Sequence, residues 1–237
     1  MTAPVLARPT ARRRPVRAPR GFVLVAAGLV VAEAVGWAVR VLGAPPPVAA
    51  ALGMDPPWSV PRTMIALVFT AGAVAAWVGA VRLPQRRTWW TAVAVLMTML
   101  ALVKAGSTVH VEVLHAIGGD AHPVRGLVVL GGAGAAYLGW LLWLSRHERR
   151  DRRRVLTWLA LYGAAAIGLS TGSQLVESWA GWASVAAATS TFVEESCEAV
   201  AAVGVLFAVL LGAAPARVLP GSWRLRRAED AAEPLRG

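Results

Sequence analysis

The chain alternates long apolar runs with short polar ones. Apolar runs cover about 21–43, 63–82, 91–116, 125–144, 155–178 and 184–212. Each reaches the roughly 20 residues that a helix needs to cross a hydrocarbon core about 30 Å thick. The pattern predicts an all-α, polytopic transmembrane bundle of six helices. The first run exceeds the usual apolar stretch of a signal peptide, about 7–15 residues, and contains Glu33, so it is read as a retained span. Between the first two spans, residues 44–62 carry Pro45, Pro46, Pro47, Pro56, Pro57 and Pro61. Proline at that density excludes a regular helix and leaves room only for a short interfacial or re-entrant piece.

Arginine placement sets the orientation. Six arginines precede the first span (Arg8, Arg12, Arg13, Arg14, Arg17, Arg20). Three follow the second (Arg82, Arg86, Arg87), and six follow the fourth (Arg146, Arg149, Arg150, Arg152, Arg153, Arg154). Five lie in the C-terminal tail (Arg217, Arg224, Arg226, Arg227, Arg236). These twenty share one side, against Arg40, Arg62 and Arg125 on the other, with Lys104 inside the third span. Cytoplasmic loops are enriched in Lys and Arg, so both termini are expected in the cytoplasm. The expected organisation is a disordered basic tail over 1–20, a six-helix membrane domain over 21–212 and a basic tail over 213–237.

Composition agrees. Charged residues are 16% of the chain, against roughly 25% in average soluble domains, and they are segregated rather than dispersed. The net charge of +11 does not indicate nucleic-acid binding, because the positive residues sit in tails and short loops. The expected partners are the lipid bilayer and anionic headgroups at the Arg-rich face, with homo- and hetero-oligomers both open. The single cysteine, Cys197, forbids an intrachain disulfide and reads as a small core residue. One lysine, no asparagine and abundant Ala, Arg, Gly, Val and Pro suggest a GC-rich bacterial genome, hence a bacterial cytoplasmic membrane. Trp89, Trp90, Trp140, Trp143 and Trp158 are expected at the inner interface, and Trp58, Trp179 and Trp182 at the outer one. Gly131, Gly132, Gly134 and Gly139 predict a close-packing face on the fourth span.

Ionisable residues within membrane helices are costly and usually face the bundle interior. Here they are Glu33, Lys104, His110, Glu112, His115, Glu177, Glu194, Glu195 and Glu198, with Gln174 beside them and Asp120 and His122 in the loop after the third span. Helical spacing puts Lys104, Thr108, Glu112 and His115 on one face. It also groups Ser170, Gln174 and Glu177, then Thr191, Glu194 and Glu198, with Glu195 and Glu198 as a further i, i+3 pair. Glu112-x-x-His115 has the spacing of ligands in carboxylate-bridged dimetal sites of helix bundles, although a second Glu-x-x-His is missing. The candidate metal ligands are therefore Glu112, His115, Glu195 and Glu198, then Glu177, Glu194 and Glu33. Such ligands suit iron, zinc or manganese.

Three readings stand side by side. One is a metal-dependent membrane enzyme acting on a lipid-like substrate, with metal-free acid catalysis as a variant. The second is a proton-coupled or cation transporter, since Glu and His chains form proton relays. The third is a non-catalytic subunit whose acids are protonated structural contacts, or pair with Lys104. Several chemistries are argued against by absence: His-rich boxes, Gly-x-Ser-x-Gly and a Walker loop. Glu194-Glu195 resembles the paired glutamates of intramembrane CAAX-type proteases, but neither the expected Arg nor a downstream His motif follows.

Overall fold

The computed structural model describes residues 18–108, 112, 116, 123–146 and 149–219, and no strand occurs among them. In chain order the helices are α1 (Arg20–Val41), α2 (Pro46–Leu52), α3 (Val60–Arg82), a 3₁₀ turn (Pro84–Arg86), α4 (Arg87–Ala105), α5 (Pro123–Leu144) and α6 (Arg149–Gly163). A π-helical turn (Ala164–Leu169) joins α6 to α7 (Ser170–Ala180), and α8 (Val185–Ala213) and a last turn, α9 (Pro215–Val218), follow. Among the described residues, five stretches are long and apolar enough to cross a membrane: Arg20–Val41, Val60–Arg82, Pro84–Ala105, Arg152–Ala180 and Val185–Ala213. The predicted fourth span is a 22-residue helix, α5.

The long central helix is α8, which packs against α1, α3, α6 and α7; α3 pairs with α4. Small residues make these approaches close. A Cβ on Gly204 of α8 would sit 2.2 Å from the Trp158 ring of α6, and one on Gly79 of α3 would sit 2.7 Å from Ala213 of α8. A rigid indole cannot yield, so Gly204→Ala is expected to destabilise by about 1–3 kcal/mol. A Cβ on Gly131 of α5 meets nothing within 4 Å, so Gly131→Ala should stay within about 0.5 kcal/mol of the parent. Thermal unfolding of both variants in detergent checks the contrast; equal midpoints would contradict the α6–α8 packing.

Several expectations are corrected. The third span does not run over 91–116. Its helix stops at Ala105, where Gly106 takes φ 115°, a left-handed conformation that favours glycine and ends a helix. The continuous face through Lys104, Thr108, Glu112 and His115 is thereby interrupted. The proline-rich stretch holds only a short helix, α2, in keeping with the room left there for a short piece; Pro46 and Pro47 fall in its first turn, where a missing N–H costs nothing. Trp89 and Trp90 are buried in the core, edge to face with centroids 6.1 Å apart, so their rings face protein rather than the outside of the bundle. Trp58, Trp140, Trp143, Trp179 and Trp182 are exposed. The glycine face of α5 meets no other described helix. Cys197 lies on the outward face of α8, one residue from the inward Glu198, not in the core.

Candidate functional site

The site forms where helix ends converge. Arg40 closes α1, Arg62 opens α3 and Lys104 nearly closes α4. All three meet the first half of α8, whose inward face carries Thr191, Glu194, Glu195 and Glu198, each buried. The 19 residues of α4 span about 28 Å and the 29 of α8 about 43 Å. Because α4 is so much shorter, its last turn delivers Lys104 well below the start of α8.

Lys104 is the centre's cation. Its Nζ lies 2.7 Å from Glu195 Oε2 and 2.7 Å from Glu198 Oε2, with all three side chains almost fully buried. Arg62 supports it in two ways. Its guanidinium donates to the carbonyls of Val103 and Lys104 at 3.2 and 3.3 Å, in the last turn of α4, where carbonyls lack regular intrahelical partners. It also sits 3.9 Å from Glu195 Oε1. On the far side, Tyr162 of α6 hydrogen-bonds to Glu198. A chain Arg62–Glu195–Lys104–Glu198–Tyr162 thus crosses the bundle.

Glu194 and Glu195 diverge, because adjacent helical residues point 100° apart. Glu194 turns to α7, where the Ser173 hydroxyl donates to it and Ser170 also bonds it. Both serines follow the π-helical turn, a distortion often found at functional sites. Glu33 of α1 is fully buried, and neither carboxyl oxygen has a hydrogen-bond partner among the described residues. Glu195, Lys104, Asp55 and Glu198 lie within its electrostatic reach.

Four buried acids therefore face two bases, Lys104 and Arg62. Glu195 and Glu198 have the bases as partners. Glu33 and Glu194 have none, and a buried carboxylate without a counter-ion is strongly disfavoured. The centre needs further positive charge, as protons or as another cation.

Arg40 forms a second layer toward the helix ends. Its guanidinium contacts Asp55 at 3.2 Å, Thr191 Oγ1 at 3.1 Å and the Trp182 carbonyl at 2.8 Å. It also lies 3.9 Å from Glu177 and 4.6 Å from the centre of the Trp182 ring. The Asp55 side chain in this layer is half exposed, whereas Arg40 is buried.

The predicted site residues thus divide. Glu194, Glu195 and Glu198 come together: each offers an oxygen, and these lie within 4.8 Å of one another. Glu33 of α1 lies within electrostatic reach of Glu195 and Glu198 but outside that cluster of oxygens. Glu177 belongs to the Arg40 layer. Glu112 is exposed and accepts a hydrogen bond from Thr108 at 2.9 Å. His115, like His110, Asp120 and His122, lies outside the described residues. Sequence reasoning passed over Arg40, Arg62, Asp55, Tyr162 and Ser173. The available signals were that Arg40 and Arg62 stand at span ends on the Arg-poor side, and that Tyr162 is one of two tyrosines.

The fold and site define an all-helical protein with membrane-length helices enclosing a buried acid–base centre. The family model described as Domain of unknown function (DUF8692) matches residues 13–213, and the chain belongs to that family. No curated protein and no solved structure matches it.

Proposed function

We propose that the protein is a six-crossing, proton-coupled membrane transporter, with Glu33 as the exchangeable proton carrier. Its membrane would be a bacterial cytoplasmic membrane, with both tails and the Arg-rich loops at anionic headgroups on the cytoplasmic face; the twenty-to-three arginine split supports that orientation. The observation that carries the functional reading is the imbalance around Lys104. One lysine neutralises Glu195 and Glu198 while Glu33 stays buried with no partner among the described residues. A carboxyl so placed holds a proton in one state and gives it up when charge or water reaches it.

The test is proton flux. Liposomes carrying the protein and an enclosed pH-sensitive dye are expected to equilibrate an imposed pH gradient faster than protein-free liposomes. Equal rates would count against the reading.

The closeness of Glu194, Glu195 and Glu198 keeps a second reading, a metal-dependent enzyme acting on a lipid-like substrate with iron, zinc or manganese. Against it, Lys104 already occupies the position between Glu195 and Glu198 that an ion would take, and two cations there would repel. Elemental analysis of the purified protein is expected to find no stoichiometric metal. Stoichiometric iron, zinc or manganese, lost in Glu198→Ala, would reverse the order of the two readings.

A further inference from the structure

Residues 53–59 pack across α1 one turn from Glu33. On α1, Glu33, Gly36 and Arg40 lie on one stripe at i, i+3 and i+7. Gly36, one turn above Glu33, is where the segment docks. A Cβ there would sit 2.7 Å from Met54 Cγ, 2.9 Å from the Leu52 carbonyl and 3.0 Å from the Met54 nitrogen. The segment is thus pressed onto bare helix backbone, and Met54 is buried beneath it. Its far end docks on the end of α4, where a Cβ on Gly106 would lie 2.8 Å from Pro57. At the second anchor, just after Pro57, Trp58 is exposed and adopts φ 63°, a left-handed conformation unfavourable for a bulky residue. Arg40 ties the segment down through Asp55 and ties itself to Glu177, Thr191 and the Trp182 carbonyl, so one side chain joins α1, the segment, α7 and α8.

We propose that residues 53–59 are a removable stopper over Glu33, latched by Arg40, and that its release opens the route by which protons reach the centre from the Arg40 end. This rests on the proton-carrier reading for what passes through, but not for whether the stopper moves. On the α1 side the segment is held through Gly36 and Arg40. The segment holds no regular secondary structure of its own to resist displacement. Local opening of such segments is the low-energy motion expected of a folded protein.

The experiment measures access to position 33. In a Cys197→Ser background, Glu33→Cys is labelled with a polar maleimide in lipid nanodiscs, alone and with Arg40→Gln or Gly36→Ala. The first variant removes the latch, and the second inserts a methyl group between α1 and Met54. Each is expected to speed labelling about tenfold, a shift of roughly 1.4 kcal/mol in the opening equilibrium. Val93→Cys, in the fully buried core, reports global loosening and is expected to stay protected in both variants. Unchanged labelling at position 33, or equal acceleration at position 93, would overturn the stopper. If labelling accelerates as expected but Glu33→Gln leaves proton flux intact, the stopper stands and the proton-carrier reading fails.

Discussion

Lys104→Met is expected to destabilise the fold by about 3–5 kcal/mol, the usual cost of leaving a buried charge without its partner. Lys104 is the contact that lets Glu195 and Glu198 share the interior, at 2.7 Å from each. Methionine fills a similar volume, so lost packing is not the main effect; two neighbouring carboxylates lose their common cation. Arg62 pairs with Glu195 at 3.9 Å while its guanidinium is held by the carbonyls of Val103 and Lys104, so it is poorly placed to take over Glu198. Adding Glu198→Gln to Lys104→Met removes one of the stranded charges and is expected to restore part of the loss. Unfolding midpoints and folded yield in detergent give the comparison. A midpoint within about 1 kcal/mol of the parent would mean that the acids do not depend on Lys104 for their charge balance.

Glu33→Gln is expected to have the largest functional effect with little structural one. Glutamine is nearly isosteric with a protonated glutamate and carries no titratable proton. Since Glu33 makes no hydrogen bond among the described residues, the substitution breaks no contact there. Proton flux should fall to the protein-free background while the unfolding midpoint holds or rises. Retained flux would move the carrier role to Glu194, the other acid without a basic partner.

Much of the bundle was legible because cost makes it so. An apolar run of membrane length can do little else, and a glutamate inside one is conspicuous. The inward face of Thr191, Glu194 and Glu198 followed from helical spacing, and the pairing of Lys104 with an acid followed from their shared depth near the middle of their spans. Spacing failed where one residue changed the backbone. The run from Thr91 to His115 keeps a helical rhythm across Gly106, yet that glycine takes a left-handed conformation and ends α4. Lys104 thereby became a helix-end residue rather than the base of a longer face. The partners of the centre were hidden for a related reason. Arg62 and Tyr162 reach it from α3 and α6, and no spacing within one helix shows which side chains of another will arrive. Arg40 and Asp55 are 15 residues apart and meet because the intervening segment folds back onto Gly36. The tryptophans teach the same lesson: Trp89 and Trp90 sit where an aromatic belt is expected, but Gly79 opens a space for Trp90 in the core.

The central claim is that Glu33 carries an exchangeable proton inside the bundle, and infrared difference spectroscopy of a pH titration reads that proton directly. The wild-type protein is predicted to show a carboxylic acid C=O band that disappears as pH rises and returns as it falls, with the band absent from Glu33→Gln. An identical, reversible band in wild type and Glu33→Gln would contradict the account and place the titrating group elsewhere.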